Sequence, residues 1–217
     1  MSRHAAPEEL VLDYVAGTLA EGPALALSLH LALDPAARRL ADGLAALGGA
    51  LIEGETPAEL DAAVLDRVLG RVERVPVDPP PEVPQAGPGF EWAPPALRPH
   101  LATGARWKRR FGGFEEMALK PGGETHRVSL LRLEPGKGLP VHRHAGSEYT
   151  VVLQGGYTDS TGSYGVGDFA VGPGAEEHRP IADPGTACIA LIVLEQPIVL
   201  TGRWGRWFNP LVRRGWL

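Results

Sequence analysis

Cysteine is almost absent. Cys188 stands alone in 217 residues, which excludes an intramolecular disulfide framework and suits a reducing cytoplasm. No run of about 18 apolar residues occurs, so no membrane-spanning segment is expected. The start of the chain, Met1-Ser-Arg-His-Ala-Ala-Pro7, leads into an acidic amphipathic segment and not an apolar one, so no secretory signal is expected. Lysine is missing before Pro76, where six Arg face twelve Asp plus Glu. That stretch carries net charge -6 of the chain's -5, leaving the remainder near +1. The acidic balance argues against direct nucleic-acid binding. Aromatics are sparse at 6%, yet 44% apolar and 22% charged residues suit a soluble globular protein.

What is present divides the chain into two textures. Residues 5 to 75 read as helices. Pro7-Glu8-Glu9 opens one, with Leu10, Val11, Tyr14 and Val15 as its stripe and Gly17 as its end. Ala20 to Leu33 is apolar nearly all round, which predicts a helix buried on most sides. Asp34-Pro35 caps a third helix carrying Leu40, Leu44 and Leu47, with a break expected at Gly48-Gly49. Thr56-Pro57-Ala-Glu59 signals a fourth helix reaching about Val75. On it Leu60, Val64 and Val68 form one apolar row, and Leu65, Leu69 and Val72 an adjacent one. Such a face either closes the helical core or is completed by a protein partner.

Nine prolines between Val75 and Pro99 predict an extended, polyproline-like connector, with Trp92 docking on a neighbouring domain. From Leu101 short apolar strands alternate with Gly/Pro turns: 107–109, 116–119, 126–133, 149–153, 169–171 and 187–194. The expected fold is therefore two-domain, α + β. A small helical bundle (1–76) and a Pro-rich linker (77–99) precede a β-barrel of roughly 100 residues (100–217). The tail from Gly202 holds four Arg and three Trp in sixteen residues. Its aromatics either cover an open barrel end or, with the Arg, form an anionic-ligand surface.

Chemistry concentrates between Gly136 and His178. His142 and His144 are two apart, so a strand projects both from one face, and Glu148 follows on an even offset. His178 must arrive on a second strand. The segment Gly136-Lys-Gly-Leu-Pro-Val-His142-Arg-His144-Ala-Gly-Ser-Glu148, closing on Gly155, resembles the cupin pattern G-x5-H-x-H-x3-E-x6-G at every fixed position. Gly167 to His178 resembles the second cupin motif, with Ala175 and Ala182 in place of its usual Gly and Asn. The resemblance implies a small barrel binding one divalent metal through His142, His144, Glu148 and His178. Imidazole suits zinc, iron and nickel, and a carboxylate admits manganese. The resemblance favours zinc.

The helical half, with "DYVAGTLAEGPALALSLHLALDPAARR…LGGAL", a linker and one cupin, resembles ChrR-type anti-sigma factors over essentially the whole chain. That implies a cytoplasmic regulator: the helices sequester an extracytoplasmic-function sigma factor, and the cupin senses oxidative stress. The resemblance implies no direct nucleic-acid contact and no membrane. One departure stands out. The family's helical zinc motif is matched by His4 and His30, but its two Cys positions hold Asp34 and Ala37. Thiolates dominate structural zinc sites, so no zinc is expected there. His30 is then a core histidine, His4 a disordered surface one and Asp34 a helix cap. Cys188, in the apolar run 187–193, reads as a buried inert thiol. The alternative is a cupin metalloenzyme, dioxygenase-like, acting on a small organic substrate. Tyr149, Tyr157, Glu176 and Arg179 are its candidate pocket residues, and none singles out a substrate.

Overall fold

A computed structural model describes residues 3–61, 63–74, 89–101, 105–110, 113–119, 126–172, 174–202, 207 and 209–213. The helices are α1 (Glu8–Val15), α2 (Glu21–Leu33), α3 (Pro35–Glu53) and α4 (Val64–Val72). As the all-round apolar pattern requires, α2 buries Leu25, Ala26, Leu27, Leu29 and Leu31. Asp34 caps α3, accepting from the backbone N–H groups of Ala36 (2.6 Å) and Ala37 (3.2 Å).

Three helical expectations are corrected. Gly48-Gly49 does not break α3, which continues to Glu53. A mid-helix Gly costs only about 1 kcal/mol against Ala, and neither glycine takes the left-handed φ of a common helix stop. The buried edge of α3 is formed by Ala37 and Ala41, with Leu44 packed alongside. Leu47 is exposed. The fourth helix starts only at Val64, so Leu60 precedes it.

Proline does not exclude helix in the last part of the connector. Pro95–Leu101 forms a 3₁₀ helix that buries Leu97 and Leu101 and lies against α2. Pro95 sits in its first turn, where a missing N–H costs nothing. Trp92 packs against the main core. Residues 75–88, where the polyproline expectation falls, lie outside the described residues.

The β part contains β1 (Lys108–Arg109), β2 (Glu115–Leu119), β3 (Arg127–Leu133), β4 (His142–Arg143), β5 (Glu148–Gln154), β6 (Gly156–Asp159), β7 (Gly162–Gly165), β8 (Phe169–Val171), β9 (Ile181–Ala182), β10 (Cys188–Leu194) and β11 (Val199–Leu200). One sheet runs β1-β2-β3-β10-β5-β8; β11-β4 and β7-β6-β9 make two smaller sheets. Six of these strands answer the sequence expectation. β4 falls where the His142/His144 spacing implied a strand, and the short β6, β7, β9 and β11 were not expected.

Alternation in the large sheet places the two halves of the molecule. Val128 and Leu130 on β3, Val151 on β5, and Leu191 and Val193 on β10 join α2 in one apolar core. The intervening residues, among them Ser129, Leu131, Thr150, Ala190 and Ile192, face a cavity on the other side. Gly22 of α2 makes this docking close. A Cβ there would sit 3.1 Å from Val128 Cγ2 and 3.2 Å from Val193 Cγ1. α2 thus packs on the outer face of the sheet, with α1 and α3 packed on α2, and the buried apolar residues of these helices belong to the same core as the sheet's.

A candidate metal centre walled by the large sheet

The described residues contain one cluster able to hold a metal: His142, His144, Glu148 and His178, whose ligand atoms all lie within 4.8 Å of one another. Ligands at about 2.1 Å from one cation lie some 3–4 Å apart, so a small contraction of this spread would bring all four onto a single ion. The chain brings the four together with short elements. His142 and His178 face each other across an antiparallel bridge, donating backbone N–H to each other's carbonyl at 3.1 and 2.9 Å. Glu148 is the first residue of β5. His178 therefore arrives on a second backbone segment, as expected, although an isolated bridge suffices.

The donor chemistry also fits. His142 directs Nδ1–H to the Pro140 carbonyl (2.8 Å), and His178 directs Nδ1–H to Asp159 Oδ2 (2.9 Å). With those protons assigned by the network, both Nε2 lone pairs are left for a cation. His144 Nε2 lies 2.7 Å from His178 Nε2, a contact that suits a shared proton or a shared metal. His144 Nδ1 is buried without a hydrogen-bond partner, although Glu148 Oε2 is only 2.9 Å away. One imidazole gives a single ion only one nitrogen, so His144 would ligate through Nε2 or through Nδ1 and not through both. Thr150 Oγ1 donates to Glu148 Oε1 at 2.9 Å.

Electrostatics keep these groups in their ligating states. Burial drives the His142 pKa down to about 4, more than the Pro140 contact restores, so its ring is neutral at pH 7. Burial alone would raise Glu148, but the neighbouring His144 ring and Thr150 outweigh it and hold the carboxyl below its ordinary value. Asp159 behaves likewise: burial opposes ionisation, and Thr161 with His178 overcomes it. A divalent cation bound by the four residues would supply Lewis-acid chemistry, or redox chemistry if it were iron.

Gly172 lets the site close. A Cβ there would fall 2.8 Å from Glu148 Cβ, so only glycine allows β8 to run this close behind the ligand. Asp159 and Thr150 were not legible in the sequence: their roles depend on contact, and no motif spacing marks them. Of the four candidate pocket residues, only Tyr157 lines the cavity. Tyr149 packs into the outer core, Glu176 is exposed, and Arg179 is exposed away from the cavity.

The helical histidines are used otherwise. His30 is fully buried, as expected of a core histidine. Its Nδ1 donates to the Gly167 carbonyl at 2.7 Å, and its Nε2 accepts from Ala6 N–H at 3.3 Å. His4 is not a loose surface residue: its ring lies 4.4 Å from that of Tyr164. Its backbone N–H, like that of Arg3, donates to Asp168 Oδ1. With both His30 nitrogens and the Asp34 carboxylate taken by backbone groups, this donor set does not fit a zinc ion. Cys188 is buried, and burial followed by Asp183 pushes its thiol up to about 12. The tail closes the cavity with Val212 of α5 (Asn209–Arg213), while Trp207 is exposed. Trp204, Phe208 and Trp216 lie outside the described residues.

Helices packed on a cupin sheet that gathers three histidines and a glutamate define a cupin protein with a helical module. A family model described as the ChrR cupin-like domain matches residues 102–197. The anti-sigma-E factor ChrR of Cereibacter sphaeroides is 34% identical over 199 residues, 90% of this chain and 91% of that protein. The crystal structure of Rhodobacter sphaeroides SigE in complex with the anti-sigma ChrR superposes with TM-score 0.73 at 33% identity, covering 88% of this chain and 98% of that one. The chain belongs to the ChrR anti-sigma factor family.

Proposed function

We propose that this chain is a cytoplasmic anti-sigma factor: its helices sequester an extracytoplasmic-function sigma factor, and a stress signal at the zinc-loaded cupin releases it. The observation that carries this reading is α4, in which no residue is buried. Leu65, Val68, Leu69 and Val72 are 49–65% exposed. Leu47, Leu51 and Ile52 near the end of α3 are exposed as well. Exposed apolar faces of this size mark protein contacts, and an amphipathic helix is a common way to fill a partner's groove. The likeness to a ChrR solved with SigE supports a sigma factor as that partner. The acidic N-terminal stretch suits the basic surfaces of a sigma factor and would speed encounter.

The test uses the full chain and the sigma factor encoded beside it. Wild type should co-elute as a stable complex, and the Leu65→Asp/Leu69→Asp double variant should lose at least 100-fold in affinity with an unchanged melting temperature. A double variant that binds as wild type removes α4 from the interface. Failure of the wild type to bind, together with O2-dependent turnover of a small organic substrate, would favour the dioxygenase-like alternative.

A further inference from the structure

The cavity behind the metal cluster is more than the room a metal needs. It measures about 110 Å³, on the scale of the roughly 150 Å³ apolar void that takes up benzene. Its polarity is segregated. Pairing across the sheet puts Arg127 of β3 opposite Leu194 of β10, and Leu194 opposite Glu148 of β5. Arg127 and Glu148 thus share one rim, two interstrand spacings or about 10 Å apart. The next row is mixed, with Ile192 between Ser129 and Thr150, and the two rows below it are apolar: Ala190 is opposite Leu131, and Cys188 opposite Leu133. All four of these line the cavity, and the Cys188 thiol is neutral there.

The charge of the rim is set by one paired cluster and by the metal site. Buried Glu116 accepts from Arg110 Nε at 2.7 Å and from Arg127 Nη2 at 2.8 Å. Two guanidinium groups meet one carboxylate, so this cluster keeps one positive charge. Glu116 and Arg127 line the cavity. Glu148 on the same rim offsets that charge, so the rim becomes cationic when a divalent ion loads the His/Glu cluster. A cationic rim over an apolar floor matches an amphipathic anion, since planar guanidinium suits carboxylate and each buried methylene contributes about 0.8 kcal/mol.

We propose that this cavity binds a small aliphatic monocarboxylate, with its carboxylate on Arg127 at the rim and a tail of about four to six carbons on Leu131, Leu133, Ala190 and Ile192. The site is independent of whether the helices hold a sigma factor, and it can be measured without one.

Titration calorimetry on the zinc-loaded full chain, with hexanoate as probe, tests it. Hexanoate should bind at least tenfold more tightly than acetate, which lacks the tail, and at least tenfold more tightly than hexylamine, which reverses the charge. Arg127→Gln should lose at least tenfold for hexanoate while hexanol binding stays within twofold. Ala190→Leu should weaken hexanoate and leave acetate unchanged; Ile192→Phe fills the same floor from a neighbouring row if that variant fails to fold. Acetate binding as tightly as hexanoate would reduce the site to a carboxylate on the metal. Either that result or an Arg127→Gln affinity equal to wild type overturns the proposal.

Discussion

At the scale of single residues, the candidate metal centre is ordered by groups outside its ligand set. Asp159 holds His178 by its Nδ1–H, which fixes the ring and makes Nε2 a better ligand. Asp159→Asn should lower zinc affinity about 10- to 100-fold without unfolding the protein; competition with a chromogenic chelator reads the affinity, and unchanged affinity would reduce Asp159 to a local turn residue. His142 gives a pH prediction for the metal-free protein. Its folded pKa of about 4 lies below its ordinary 6.5, so between these values the unfolded chain binds the extra proton. Stability is therefore full above pH 6.5 and falls as pH drops towards 4, by roughly 3 kcal/mol for this one group. Glu148, Asp159 and Asp168, all held below their ordinary values, add their losses below about pH 4.5, in the same direction. Denaturant midpoints at pH 7.5, 5.5 and 4.5 measure the slope. His142→Gln should flatten its upper part.

At the scale of elements, Asp34 shows how one side chain sets the start of a helix. Its carboxylate caps α3 through two backbone N–H groups, so Asp34→Ala should cost about 1 kcal/mol. Asp34→Ser should recover most of that loss in thermal melts, which a metal-binding role would not allow. The sequence showed the start of this helix clearly, because a cap is a local signal. It misled at Gly48-Gly49, where glycine reads as a stop although the helix runs on to Glu53. Apolar stripes were legible in the same partial way. α2 is buried as its composition demands, whereas the Leu-rich side of α4 is apolar and uncovered. Periodicity tells which side of a helix is apolar and cannot tell what covers it.

At the scale of the molecule, α2 and the sheet share one core. Leu27 is fully buried among residues of both halves. Leu27→Ala should therefore destabilise the whole described fold by about 2–5 kcal/mol, with far-UV dichroism and tryptophan fluorescence lost in a single transition. Two separated transitions would mean that the helices and the sheet fold as independent units. The N-terminal segment is tied to the same sheet at the turn before β8. There Asp168 takes the Arg3 and His4 amides, and His30 takes the Gly167 carbonyl. β8 then runs on to Gly172 behind Glu148, so the elements that secure the helices also border the metal centre. The strands walling the cavity, β5 and β10, carry α2 on their opposite face.

By itself the sequence determined the four residues that gather into the candidate metal site, the helical and β-rich halves, and the cap on α3. Each rests on local spacing: even offsets on a strand, apolar period on a helix, or a carboxylate just before Pro35. Only the tertiary structure decided that the helices lie on the back of the sheet, that Asp159 and Thr150 hold the ligands, and that Arg127 and Glu116 reach the cavity rim. Those relations join residues far apart in the chain, Arg127 and Glu148 through β10 and His30 with Gly167 through packing. No one-dimensional pattern encodes them, because they depend on which strands pair and in what register.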